Sequence, residues 1–170
     1  LFNWIIQNGK TLIINNDDLE QIKFNKHKNF SFGSKIKSNY NFKYIPEKKV
    51  EVKCSEIIYK SNIYGDYNFS NICVAISIGL HFGVDSKKIQ KSLLNYKLKN
   101  NRSQLIKLKS QEIILDAYNA NPTSMTHAIE SFSKTKGSKA VILGDMFELG
   151  NNALDEHKKI VEIIKNNKID

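Results

Sequence analysis

EIILDAYNANPTSM, residues Glu112 to Met125, is the stretch whose reading decides the fold. Glu112-Ile-Ile-Leu-Asp116 carries a short apolar run rich in β-branched residues and reads as a strand. It runs into a loop of small and amide-bearing residues, Ala117 to Asn121. Pro122 then opens a helix at its first turn, where a missing N–H costs nothing. Met125, Ile129 and Phe132 follow at helical spacing as its buried stripe. On the C-terminal side, Lys139-Ala-Val-Ile-Leu143 predicts a further strand, Gly144-Asp145 a loop, and Leu154, His157, Val161 and Ile164 one side of a final helix. On the N-terminal side, Gln104 to Leu108 predicts a strand paired with Glu112 to Asp116. Strand, loop, helix, strand, loop, helix is the rhythm of a parallel α/β unit.

The first half is less regular. Asn8-Gly9-Lys10-Thr11 spells like the end of a phosphate-binding loop, but the glycine that motif needs is replaced by Trp4. A phosphate loop also leads from a strand into a helix. Here Leu1 to Gln7 reads as a helix end and Thr11 to Asn15 as a strand, so NGKT is a helix-to-strand turn. Asn16-Asp17-Asp18 can cap a short helix reaching about Phe24. Residues 28 to 60, with alternation in Lys49 to Cys54, predict two or three strands with solvated faces. Phe69, Ile72, Cys73, Ile76 and Leu80 predict a helix ended by Gly83, with His81 near its C-terminal dipole. A second helix is capped by Asp85 or Ser86 and faces inward with Ile89, Leu93 and Leu94. The polar stretch Lys97 to Ser103 predicts a domain boundary or hinge.

Composition narrows the classes. A chain of 170 residues with 41% hydrophobic content can bury a core. No apolar run reaches the length of a membrane span, so membrane insertion is not expected. Cys54 and Cys73 lack metal-ligand spacing and read as free thiols of a reducing, cytoplasmic compartment. The net charge of +9 is almost all lysine and is spread along the chain. Nucleic-acid binding usually clusters its charge and uses arginine forks, so no nucleic-acid partner is expected. Arg102, the single arginine, stands out for the same reason. The chain opens on Leu1 rather than Met, which suggests a piece of a longer protein.

Ligands of open parallel sheets bind beyond the carboxyl ends of the strands. Asp116 and Asp145 both fall at such an end, each before a loop of small or amide-bearing residues. An Asp there can also simply cap its loop. Residue types alone support a polar cleft for a phosphorylated or amide-bearing ligand, and no more.

ILDAYNANPTSM (Ile114 to Met125) followed by VILGDMFELG (Val141 to Gly150) resembles the MurF ligases, the UDP-N-acetylmuramoyl-tripeptide–D-alanyl-D-alanine ligases of peptidoglycan synthesis. Asn15-Asn16-Asp17-Asp18 is similar to an N-x-D-D after the first strand. Gly65-Asp-Tyr-Asn-Phe-Ser-Asn71 is similar to a G-x-H-N-x-x-N segment, with Tyr67 in place of the family's His. Arg102, in NNRSQ, matches an Arg just before the acceptor domain. Sister Mur ligases carry a different loop where this chain has YNANP.

The resemblance implies an α/β fold. Residues 1–98 would be the C-terminal portion of a central ATP-binding domain. Residues 99–170 would be the N-terminal portion of a Rossmann-like C-terminal ligase domain. It implies ATP and Mg2+, with the phosphate loop and main magnesium ligands expected before residue 1 and no metal ligand in this stretch. Asn68 and Asn71 would contact the nucleotide, Asn71 at adenine. Arg102 would reach the ATP phosphates across a hinge as the catalytic cation, and Asp116 would accept from the ribose hydroxyls. Asn119, Asn121 and Asp145 would border the site of the amine acceptor. His157 matches a family His, for which helix packing is the simpler role. Substrates would be UDP-N-acetylmuramoyl-tripeptide and D-alanyl-D-alanine, and the protein a monomer. These 170 residues alone would not catalyse. The alternatives are another Mur-type ligase with a different amine acceptor, or a basic binding module.

Overall fold

The computed structural model describes residues 1–25, 29–47, 49–98 and 101–169. They form two compact units. One comprises Leu1–Asn62 and Asn68–Tyr96, the other Ile63–Tyr67 and the residues from Lys97 onward. Of the expected hinge, residues 99 and 100 lie outside the described residues, as does the boundary drawn between residues 98 and 99.

The first unit opens with α1 (Phe2–Gln7), which ends at Asn8 and Gly9. Gly9 has φ +62, a conformation only glycine adopts without penalty, so NGKT is a turn into β1 (Leu12–Asn15). Four more strands follow: β2 (Asn29–Gly33), β3 (Tyr40–Ile45), β4 (Glu51–Cys54) and β5 (Ile57–Lys60). They form one sheet in chain order, parallel from β1 to β3 and antiparallel from β3 to β5. Alternation locates β4, whose Val52 and Cys54 are buried between half-exposed Glu51 and Lys53. It does not locate β2, where Phe30, Ser31, Phe32 and Gly33 are all buried. The Ser31 hydroxyl tolerates burial because it donates to Asn39 Oδ1 at 2.9 Å. Residues 29–60 therefore hold four strands rather than two or three.

Asp17 does not cap a helix. Its carboxylate accepts from the backbone N–H groups of Ser34, Lys35 and Ile36 and from the Ser34 hydroxyl, fastening the β2–β3 connection. Burial pushes this carboxyl up, but those hydrogen bonds more than offset it and leave it below the usual carboxylate range. Asp18 instead accepts from the amides of Glu20 and Gln21, and only a single turn of tight helix forms, at Ile22–Phe24.

Two helices cover the sheet. In α2 (Phe69–His81), Ile72, Cys73, Ile76 and Ser77 are buried, and the Ser77 hydroxyl donates back to the Cys73 carbonyl at 2.7 Å. His81, its last residue, lies 4.3 Å from the Phe30 ring centroid. In α3 (Ser86–Asn95), Asp85 caps the N-terminus by accepting from the amides of Lys87 and Lys88. Ile89 and Leu93 face inward, whereas Leu94 is exposed. Cys54 and Cys73 are both buried free thiols, each pushed up in pKa by burial.

In the second unit, β6 (Gln104–Lys107) and β7 (Glu112–Leu115) pair antiparallel as a two-stranded ribbon. α4 (Pro122–Ser133) and α5 (Ala153–Asn166) pack together through Ile129, Met146, Ile160 and Ile169, with Met125 and Phe132 partly buried against them. Two expectations need correction. Lys139 to Leu143 is not a strand: no neighbouring strand hydrogen-bonds it among the described residues, and Ile142 is fully exposed. The parallel pairing lies instead in the first unit. The buried side of α5 is also rotated, because Ile160, Ile163 and Ile164 meet the core while Leu154 and Val161 are exposed. A helix with apolar residues on more than one stripe does not disclose which stripe is covered.

Candidate functional site

The chain after β7 and the chain before β6 run side by side. Asn101 accepts the Ala117 N–H at 2.8 Å through its backbone carbonyl. Arg102 stacks its guanidinium on the Tyr118 ring, 3.6 Å from the centroid. The Ser103 hydroxyl lies 3.3 Å from Asp116 Oδ2. Asn-Arg-Ser is thus clasped residue for residue to Asp-Ala-Tyr. The clasp requires left-handed backbone at Asn101 (φ +57) and Ser103 (φ +43). Asparagine tolerates that region, but for serine it stores strain of order 1 kcal/mol.

Asp116 has a second partner in Tyr67, whose hydroxyl donates to Oδ2 at 2.9 Å and lies 2.6 Å from Ser103 Oγ. Gly65 makes room for this. It has φ +86, and a Cβ there would sit 2.3 Å from Cε1 of the Tyr67 ring. Burial, the largest influence, raises the Tyr67 phenol. The Ser103 bond pulls the other way, the Asp116 charge adds to the rise, and the result is about 12. The phenol therefore stays a donor at neutral pH. Next to it, Asp66 accepts from Lys134 Nζ at 2.7 Å, tying this segment to the end of α4. Burial raises the Asp66 carboxyl, and hydrogen bonds from Lys134 and Ser131, the Lys134 charge and the Tyr67 backbone N–H together more than offset that.

Sequence reading did not find this cluster. Tyr67 stood out only as a departure from a pattern, and Ser103 carries no signal beyond adjacency to Arg102. Its burial, 4% exposed, is the signal, and burial of a lone serine is invisible in one sequence.

Asn121 serves α4 as N-cap. Its Oδ1 accepts the Ser124 N–H at 2.9 Å while Ser124 Oγ accepts the Asn121 N–H at 3.3 Å, a reciprocal capping box. Asn119 is exposed in the same loop. Asp145 is exposed after an unpaired segment, so it and Asp116 do not share the rim of one sheet. No hydrogen bond or ion pair joins the two. Asp145 instead lies 3.8 Å from His157 Nε2, which accepts the Met146 N–H at 3.1 Å. His157 Nδ1 is 2.7 Å from the Ala153 carbonyl. A carbonyl can only accept and an N–H only donate, so these two contacts call for the donor at Nδ1 and the acceptor at Nε2. His157 fastens the LGDM loop to α5, which is more specific than packing.

In the first unit, Asn71 Nδ2 donates to Asn68 Oδ1 at 3.3 Å, so these two candidates meet across one helical turn. Asn68 is the N-cap residue of α2, yet its side chain makes no capping bond. Asn71 is exposed, with its own Oδ1 available. Among the described residues no group of three or more His, Cys, Asp or Glu side chains converges to hold a cation. No helix among them is long and apolar enough to cross a membrane.

Residues 101–170 match the family model described as Mur ligase, glutamate ligase domain. The chain is 30% identical to the UDP-N-acetylmuramoyl-tripeptide–D-alanyl-D-alanine ligase of Bacillus subtilis strain 168, over 100% of this chain and 38% of that protein. The fold is similar to that of MurF from Acinetobacter baumannii, with TM-score 0.77, 23% identity, and 92% of this chain and 36% of that one covered. It is similar as well to MurF from Thermotoga maritima in complex with ADP, with TM-score 0.76, 21% identity, and coverage of 91% and 38%. The chain thus spans less than half the length of the relatives it matches. By its sequence match along the whole chain, by its family model from residue 101 and by its fold, this chain belongs to the MurF family of Mur ligases.

Proposed function

We propose that the protein containing this chain is an ATP-dependent, ADP-forming amide ligase that joins D-alanyl-D-alanine to UDP-N-acetylmuramoyl-tripeptide. The observation carrying this is the likeness to the Bacillus subtilis ligase of that name along the whole chain. The reaction has a chemical requirement. A carboxylate oxygen is a poor leaving group, so ATP transfers a phosphoryl group to the tripeptide's terminal carboxylate, and the amine then displaces phosphate to form the amide. Protein groups contribute by positioning the reactants and offsetting charge on phosphate oxygens.

In the second unit, Asp116 is the proposed acceptor for ribose hydroxyls and Arg102 the proposed partner of phosphate oxygens. The clasp suits these roles, because it leaves a carboxylate and a guanidinium exposed on adjacent turns of chain. The Thermotoga maritima relative crystallised with ADP supports a nucleotide at this fold. In the first unit, Asn71 is the proposed adenine contact, held by Asn68. Asn119, Asn121 and Asp145 are proposed at the amine acceptor. Asn121 would join through its amide N–H groups, which the capping contact of its oxygen leaves uncommitted. Mg2+ would neutralise phosphate charge, but the described residues offer no cage for it and no step here runs through it. Residues 1–98 are proposed as the C-terminal portion of the central ATP-binding domain and residues 99–170 as the N-terminal portion of the C-terminal ligase domain, with Ile63–Tyr67 and residues 97–98 belonging to the second compact unit. The buried free thiols support a cytoplasmic setting.

The test is a ligation assay on the protein expressed from its whole reading frame, with ATP, UDP-N-acetylmuramoyl-tripeptide and a panel of amine acceptors. ADP release dependent on D-alanyl-D-alanine is expected. Release driven by a single amino acid instead would reassign the protein to another Mur-type ligase.

A further inference from the structure

Tyr67, Ser103 and Asp116 close a triangle whose sides are 2.6, 2.9 and 3.3 Å. Both contacts to Asp116 fall on Oδ2, and Oδ1 accepts no hydrogen bond from the described residues. The asymmetry is built. Ser103 is buried and held in left-handed backbone, and Gly65 is glycine where any Cβ would strike the Tyr67 ring. Behind an exposed carboxylate thus stands a half-buried phenol and a buried hydroxyl. Two hydroxyl protons serve three contacts, and the shorter sides suit a chain from Ser103 to Tyr67 to Asp116, whose links polarise one another. A staple that merely held two segments together would not need to leave half of the carboxylate open to solvent.

We propose that Tyr67 and Ser103 are positioning residues that hold Asp116 by Oδ2 and so present Oδ1 to a vicinal diol, the ribose of the bound nucleotide. The inference rests on the nucleotide reading of Asp116 above and adds to it the pair that orients the carboxylate. A carboxylate free to rotate loses acceptor geometry for two adjacent hydroxyls, whereas one pinned by a phenol does not. The Tyr67 phenol, raised to about 12, keeps its proton through the physiological range and so remains a donor to Oδ2.

The test compares ADP with 2′,3′-dideoxy-ADP by calorimetry on the protein expressed from its whole reading frame. The unaltered protein is expected to prefer ADP about tenfold, the value of a hydrogen-bonded charge. Tyr67→Phe keeps the ring and removes the hydroxyl. It should reduce that preference to about twofold while leaving dideoxy-ADP affinity unchanged, and Tyr67→His should restore part of it. Ser103→Gly removes the hydroxyl and relieves the backbone strain, so it folds even if Tyr67→Phe does not, and it should act in the same direction. Equal weakening of both nucleotides by Tyr67→Phe or Ser103→Gly would reduce the triangle to a structural staple and overturn the inference. If ADP binds with its ribose preference and both variants keep that preference, the inference alone falls. If ADP does not bind at all, the nucleotide reading falls and this inference with it.

Discussion

The guanidinium carbon of Arg102 lies over the Tyr118 ring, 3.6 Å from its centroid, and among the described residues no carboxylate forms an ion pair with it. The contact holds the chain's single arginine against Tyr118, with its fork of donors unspent on any carboxylate of the described residues. For an exposed pair such stacking is worth about 0.5–1 kcal/mol. That is enough to bias a side chain and little enough to release it to a phosphate.

Arg102→Ala should lower the ligation rate about 100-fold, the usual cost of one donor to developing phosphate charge, with little effect on stability. Arg102→Lys should recover only part, since an ammonium lacks the planar fork. Tyr118→Ala should leave the rate within a few-fold and raise the KM for ATP. Steady-state kinetics on the three variants checks this. An Arg102→Ala enzyme of near-normal rate would remove Arg102 from the site.

The capping box predicts a split at Asn121. Asn121→Ala should cost about 1 kcal/mol in urea unfolding through loss of the α4 cap. Asn121→Asp keeps a capping oxygen and discards the amide donors. It should unfold like the unaltered protein while raising the KM for D-alanyl-D-alanine. Equal KM values for Asp and Asn at this position would confine the residue to helix capping.

His157 fixes the Met146 amide, and hydrogen exchange reads that directly. His157→Phe should speed exchange at Met146 about fivefold while amides at the centre of α5 keep their protection, since a hydrogen bond of about 1 kcal/mol is lost locally. Unchanged exchange at Met146 would mean the ring does not hold the loop.

Asp17 gives the pH dependence. Its carboxyl is lower in the folded chain than in the unfolded one, so its stabilisation is complete above the ordinary carboxylate range. That stabilisation is lost as pH falls through the depressed folded value. Urea midpoints measured from pH 6 down to pH 2 should fall steeply for the unaltered chain. They should fall less for Asp17→Asn, which starts less stable. Parallel curves would show that the carboxylate over residues 34–36 contributes nothing through its charge.

What the sequence disclosed follows from what each signal reports. Caps and turns are local chemistry, so Gly9, Asp85, Asn121-Pro122 and the helix after Asn68 were legible from their own neighbourhoods. Strands depend on partners. β4 alternates and could be found, β2 is buried without alternation from Phe30 to Gly33 and could not, and Lys139 to Leu143 has strand composition with no ladder to join among the described residues. The site divides in the same way. Arg102 and Asp116 were reachable through composition, motif and position, but the contacts that orient them run through Tyr67, Ser103 and Tyr118. Those contacts are set by folding the Gly65 to Tyr67 segment and the Asn101 to Ser103 turn onto Asp116, and sequence spacing carries no trace of that.

The central claim is that the clasp of Asn101-Arg102-Ser103 with Asp116-Ala117-Tyr118 is where the nucleotide is held. Hydrogen exchange by mass spectrometry, on the protein expressed from its whole reading frame with and without saturating ADP, tests it most directly. Peptides spanning residues 101–118 are predicted to gain protection, and Asp116→Asn to abolish most of that gain. Tight ADP binding with no change in those peptides would contradict the account.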